Sequence, residues 1–208
     1  MTVDQTAVLT TYARAARAAH PALTALDQLS GDGDFGDNLC EGLDWAVAAV
    51  EARPVEPATA VAAAVFLDRV GGTSGPLIGL LFQELTRALS AAEDDWAGGV
   101  REGLAAVQRV GEAEPGDRTM VDALVPARDA LAAGRSYADV AEAAIAGAVG
   151  TAAIRARRGR AAYVGERAVG APDPGAMGLA LFFWSLAVVA EPDAGLPAPE
   201  EVVPMPGE

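Results

Sequence analysis

Four carboxylates, Asp27, Asp32, Asp34 and Asp37, fall within one short stretch, with Gly31, Gly33 and Gly36 between them. Crowded like charges repel unless solvent or a cation intervenes. Glycines at this spacing let the backbone enter the left-handed region and come close to a ligand. Water is one answer to the crowding. A hard divalent cation, Mg²⁺ or Ca²⁺, is the other, because such ions take oxygen donors. A Ca²⁺ loop of the EF-hand kind starting at Asp32 fails, since it needs glycine where Asp37 stands and an acidic ligand where Leu43 stands.

A second stretch, Gly71-Gly72-Thr73-Ser74-Gly75, feeds a helix that Pro76 can open. Exposed N–H groups at a helix start make a ready phosphate site. A tight helix–helix turn accounts for the same five residues. Arg155, Arg157, Arg158 and Arg160 close a third region, where basic residues suit the C-terminal end of a helix dipole. The pattern does not single out Arg160 among them.

All fifteen basic residues are arginine and none is lysine. A P-loop, a protein-kinase site and a pyridoxal Schiff base each need a lysine, so all three are excluded. The formal net charge of −14 argues against nucleic acid as a partner. The single cysteine, Cys40, excludes internal disulfides and cysteine-cluster metal sites, and its apolar neighbours predict a small buried hydrophobe. One histidine, His20, is too few for a histidine zinc site. The N-terminus is polar, without the pattern of a signal peptide, and the expected location is cytoplasmic, away from membranes.

The elements that position these residues read as helices throughout. Alanine is in excess, and alanine is the strongest helix former. Residues 4–20 predict a helix capped by Asp4, with Val8, Leu9, Tyr12 and Ala16 on one face, and Leu23 and Leu26 carry the spacing on to Asp27. Asp37 or Asn38 can cap the next helix, which ends near Pro54. Further helices are expected over 58–70, 76–89, 96–111 and from Asp117 or Thr119 to 133. The longest is expected from a Ser136 cap to Arg158. After an irregular loop over 159–175, a charge-free helix spans 175–190, too short to cross a bilayer. One domain over 1–192 follows, with 193–208 as a proline-rich tail. The unusual loops, 30–37, 71–75, 111–118 and 159–175, occupy alternate connections. In an up-and-down bundle they meet at one end and form a single site.

These loops together resemble the nucleotide-binding L subunit of dihydroxyacetone kinases and the matching domain of the single-chain enzymes. The matching pieces are Leu26-Asp27 with Gly31 to Asn38, Gly71 to Leu77, Glu114 to Met120, Gly159 to Arg167, and Asp173 to Ala176. The resemblance implies an all-α fold, an antiparallel eight-helix barrel with the nucleotide at one end. It implies two Mg²⁺ ions on Asp27, Asp32 and Asp34, with ADP or ATP as the nucleotide. Phosphate contacts fall on Gly36, Asn38, Thr73, Ser74 and Arg160, the last standing in for the missing lysine. Gly111, Met120 and the turn Asp173-Pro174-Gly175 would line the adenosine. The implied partner is a K subunit that holds a ketose such as dihydroxyacetone. A phosphotransferase-system protein is a further implied phosphoryl donor in the mode where ADP stays bound, and a homodimer is compatible with the family. Phe35 and Asp37, inside the nucleotide loop, depart from the family's usual histidine and small or neutral residue. Ala162 replaces a common serine, and Ala171-Pro172 a polar pair. A nucleotide-binding regulator or adaptor without kinase activity is the alternative these changes leave.

Overall fold

The computed structural model describes residues 2–159, 161–164 and 168–207, and among these the chain is helical with no strand. The long helices are α1 (Gln5–Ala18), α2 (His20–Ser30), α3 (Phe35–Ala52), α4 (Ala58–Asp68), α5 (Ser74–Ala91), α6 (Trp96–Gly111), α7 (Val121–Ala132) and α8 (Tyr137–Gly150). A 3₁₀ turn, Thr151–Ala153, and the short α9 (Ala161–Val164) lead to α10 (Pro174–Ala190), and α11 (Pro199–Val202) follows. No helix among the described residues is long and apolar enough to cross a membrane.

Packing follows chain order. α1 lies on α3, α3 on α4, and so on to α8; α8 then packs on α10, and α10 returns to α1. Helix α2 sits beside this circuit against α3 and α10. Amphipathic helices expose one stripe to solvent. Helix α10 has none to expose: every residue from Pro174 to Ala187 is buried. Its Phe182 and Phe183 join Tyr12 and Phe82 in edge-on aromatic contacts, with centroids 5.2–5.7 Å apart. The Tyr12 hydroxyl donates to the Gly178 carbonyl at 2.9 Å, fastening the first helix to the last long one.

Several helix ends differ from the sequence expectation for identifiable reasons. Asp4 caps α1 as expected, accepting from Thr6 N and Ala7 N. The predicted run to residue 20 instead breaks at Ala19, and Pro21 falls in the first turn of α2, where its missing N–H costs nothing. Neither Asp37 nor Asn38 caps α3, which begins three residues earlier, at Phe35. The reason is Asp27: its Oδ2 accepts from Phe35 N at 3.0 Å, so a carboxylate on α2 satisfies the first N–H of α3. Likewise α5 starts at Ser74, ahead of Pro76. Helix α8 ends at Gly150, well short of Arg158. There the Thr151 hydroxyl accepts from Asp173 N at 2.7 Å, and the chain turns toward α10 rather than continuing. Arg155, Arg157 and Arg158 therefore lie beyond the helix, and the dipole explanation for them lapses.

The proline-rich end is docked. Val202 and Val203 are buried, α11 rests on α1 and α10, and Trp184 Nε1 donates to the Pro197 carbonyl at 2.9 Å. The opposite side of the bundle from the irregular loops is held by carboxylates on helix starts. Glu191, just past α10, accepts from Tyr137 N and Ala138 N at the start of α8.

Candidate functional site

The four irregular loops meet at one cavity. Asp27, Asp32, Phe35 and Asn38 line it from the first loop, Gly71 to Gly75 from the second, Gly111, Arg118, Thr119 and Met120 from the third. Arg158, Gly159 and Asp173 to Gly175 complete it from the fourth.

The acidic loop is shaped by Asp27 in the last turn of α2. Its Oδ2 accepts from Gly33 N and Phe35 N, both at 3.0 Å, which folds the loop over the carboxylate. Gly33 sits at φ +86°, a left-handed conformation that residues with a Cβ adopt at a cost. Asp32 reaches the cavity with an exposed side chain. Asp34 is also exposed but is not among the cavity-lining residues, and among the described residues no three acidic, histidine or cysteine side chains form a ready metal cluster. Asp27 and Asp32 nonetheless bring hard carboxylate oxygens to the cavity, and Mg²⁺ commonly binds one or two carboxylates while waters and phosphate oxygens fill its other positions. The residues present fit that ion.

Not every expected residue faces the cavity. Gly36 packs against α2: a Cβ there would overlap the Thr24 hydroxyl and come within 3.2 Å of the His20 carbonyl. Asp37 turns to the surface and pairs with His20 Nε2 at 2.7 Å. Phe35 lines the cavity edge while its ring fills the space over Gly178 of α10, where a Cβ would come within 2.7 Å of Phe35 Cζ. Asn38, Thr73, Ser74, Gly111, Met120, Asp173, Pro174 and Gly175 all line the cavity. Gly72 lies beside Asn38, which brings the starts of α3 and α5 together. Neither Asp34 nor Thr73 uses its side chain to cap its helix, so N–H groups of both first turns lack that partner. Arg160 lies outside the described residues.

The third loop is braced internally. Asp122 accepts from Gly116 N at 2.5 Å and Thr119 N at 2.8 Å. Asp117, buried, accepts from Glu114 N at 2.9 Å and lies 3.8 Å from Arg157 and 3.9 Å from Arg158. Sequence reasoning treated Asp117 as a helix-cap candidate and gave Arg118 no role. The only signal for either was its place inside the Glu114 to Met120 motif. Arg118 is 1% exposed, and its Nη2 donates to the carbonyls of Ala168 and Ala171 at 3.0 and 2.9 Å. Burial lowers its pKa, which the nearby Asp173 partly offsets. Cys40 is half-buried rather than buried, and burial pushes its thiol up to about 11, which leaves it protonated and unreactive.

Asp173 caps α10 by accepting from Ala176 N at 2.9 Å. Burial pushes its carboxyl up to about 6; the Ala176 N–H and Arg118 hold it down, and Asp122 and Asp27 raise it further. The folded state thus keeps a proton that the unfolded chain releases near 3.8. Stability from this group is fully present below the unfolded value and is lost as pH rises through about 6. Asp173→Asn keeps the cap and removes the ionisation. Its stability relative to wild type is expected to rise by about 1 kcal/mol between about pH 5 and about pH 8. Urea unfolding at the two pH values measures this; an unchanged difference would mean that the carboxylate is solvated.

Comparison with known proteins places the chain. The family model described as the DAK2 domain matches residues 29–187. The chain is 35% identical over 170 residues to the ADP-binding subunit DhaL of PEP-dependent dihydroxyacetone kinase 1 of Listeria innocua, covering 79% of this chain and 84% of that one. The Escherichia coli K12 ADP-binding subunit DhaL is 33% identical over 187 residues, covering 81% and 88%. L-erythrulose 1-kinase of Mycolicibacterium smegmatis is 37% identical over 195 residues, covering 86% of this chain but 34% of that enzyme. The crystal structure of dihydroxyacetone kinase from C. freundii with AMP-PNP and Mg²⁺ superposes with a TM-score of 0.72 at 29% identity, covering 88% of this chain and 33% of that one. The chain thus spans about a third of the two longer kinases and most of the length of the two subunits. With its irregular loops gathered at one cavity and these similarities over most of its length, the chain belongs to the DAK2-domain family, as a relative of the dihydroxyacetone kinase L subunit.

Proposed function

We propose that the cavity binds a Mg²⁺-complexed adenine nucleotide and that the chain is the nucleotide-binding subunit of a dihydroxyacetone-type kinase. One observation carries this: the starts of α3 and α5, neither capped by the side chain that precedes it, converge with Asp27 and Asp32 on the same cavity. Helix starts attract phosphate and carboxylates attract its counter-cation, so one cavity serves both halves of a metal nucleotide. Asn38, Thr73 and Ser74 bind the phosphates, while Gly111, Met120 and the Asp173-Pro174-Gly175 turn line the nucleoside. Asp27, Asp32 and Asp34 would hold the metal, as two ions. When bound, Mg²⁺ neutralises phosphate charge and orients the transferring group. Arg160 supplies a fixed positive charge at the phosphates. In this proposal the helices form the family's eight-helix barrel, and the acceptor ketose sits on a separate K subunit that meets the cavity end.

A non-catalytic regulator is the weaker reading. Asp37, the departure that would oppose a polyphosphate most directly, points to His20 and away from the cavity. Release of nucleotide from denatured protein, followed by titration of ADP and ATP with and without Mg²⁺, tests the proposal. Tightly co-purified ADP supports a bound-coenzyme mode rephosphorylated by a phosphotransferase-system protein. Exchangeable ATP supports direct use of ATP. If neither nucleotide binds in the presence of Mg²⁺, both modes and the proposal are wrong.

A further inference from the structure

We propose that Arg118 is a nucleotide-contacting residue whose guanidinium donates to a ribose hydroxyl while it holds the segment over residues 168–171. The inference rests on the nucleotide reading of the cavity and deepens it.

Arg118 is a fully buried cation at the site, and its hydrogen bonding is half complete. Nη2 takes both carbonyls of the fourth loop, but Nε and Nη1 are buried with no hydrogen-bond partner. A buried charged group is costly when unpaired, and orphaned buried donors in native proteins call for an explanation such as a ligand or a water. Arg118 is among the residues that line the cavity, and a ligand that reaches past the wall to its buried Nε or Nη1 would complete the hydrogen bonding. Its backbone adds to the case: φ is +61°, a conformation non-glycine residues seldom adopt and one that clusters at ligand sites.

The surroundings select the kind of acceptor. Asp173 is buried close enough to raise the Arg118 pKa, and Met120 and Gly175 lie in contact range of each other on the same side. A phosphate beside the Asp173 carboxyl would meet a like charge. A hydroxyl suits both neighbours, accepting from the guanidinium and donating to the carboxyl. Ribose offers two such hydroxyls. The same guanidinium fixes Ala168 and Ala171, so filling its free donors also steadies the loop that ends in Asp173.

Titration calorimetry with Mg-ADP, Mg-2′-deoxy-ADP and Mg-3′-deoxy-ADP against wild type, Arg118→Met and Arg118→Lys tests this. In wild type, one deoxy analogue is expected to bind about ten-fold or more weaker than ADP, as for loss of a hydrogen bond to a charged group. In Arg118→Met that discrimination disappears. Arg118→Lys retains the charge without the planar fork and is expected to lose most of it. Full discrimination in both variants would reduce Arg118 to a loop brace and overturn the inference. Should Arg118→Met fail to fold, wild type and Arg118→Lys still decide. Equal binding of all three nucleotides by wild type refutes the Arg118 contact alone, whereas no ADP binding by wild type refutes the nucleotide reading with it.

Discussion

Asp32→Ala is expected to leave the protein folded and to weaken Mg-dependent ADP binding by about a hundred-fold or more, while Asp27→Ala loses binding and stability together. The contrast follows from the exposure of Asp32 and from the two backbone hydrogen bonds that Asp27 accepts. Asp32 is exposed at the cavity, where it is a proposed metal donor, and an exposed side chain contributes little packing. Asp27 also holds Gly33 N and Phe35 N. Hydrogen bonds to a charged group contribute about 1.5–3 kcal/mol each. Losing both frees the loop that carries Asp32 and removes the partner of the first N–H of α3. Calorimetric titration with and without Mg²⁺, paired with thermal unfolding, separates the two variants. Unchanged Mg-dependence in Asp32→Ala would remove this carboxylate from the metal site.

The second large effect lies outside the cavity, where α7 meets α8. A Cβ on Gly147 would overlap the Asp122 carbonyl oxygen and come within 2.7 Å of Pro126 Cγ. Pro126, inside α7, has no N–H to offer the Asp122 carbonyl one turn back. The space beside that carbonyl is where α8 comes closest. Neither backbone nor proline ring can swing aside, so Gly147→Ala must push the helices apart. We expect a loss of about 3 kcal/mol, at the upper end for overpacking, and a melting temperature lower by about 10 °C for a chain of this size. Gly150→Ala in the same helix is the control: its Cβ meets nothing within 4 Å, and alanine there is neutral or slightly stabilising. Equal behaviour of the two variants would mean that the α7–α8 contact is loose. Asp122 also braces Gly116 and Thr119, so Gly147→Ala is expected to weaken nucleotide binding although Gly147 is not among the cavity-lining residues.

Local signals carried much of this architecture in the sequence. The Asp4 cap, the span Trp96–Gly111 and the meeting of the irregular loops followed from capping chemistry, apolar spacing and alternate connections. What escaped was decided by distant partners. Nothing near Phe35 says that α3 begins there; that depends on Asp27, eight residues earlier. Nothing near Thr151 says that α8 stops; that depends on Asp173. Gly36 belongs to a motif shared with a nucleotide-binding family, yet in this structure its missing Cβ makes room for Thr24. Arg118 was visible as a letter in a motif, but its burial and half-filled hydrogen bonding appear only once the fourth loop folds over it.

The hydrogen bond from Tyr12 to Gly178 joins residues 166 positions apart, across the contact where α10 returns to α1. That makes the circuit a question of timing as well as shape. Every other step around it joins helices near in sequence, which form early, while this seam pairs the first long helix with the last and bears the largest loop-closure cost. Asp173, Pro174 and Gly175 sit at the start of α10, so the cavity is completed only when the seam shuts. During synthesis the chain would therefore present its acidic loop and its glycine turn long before it could close a pocket around anything.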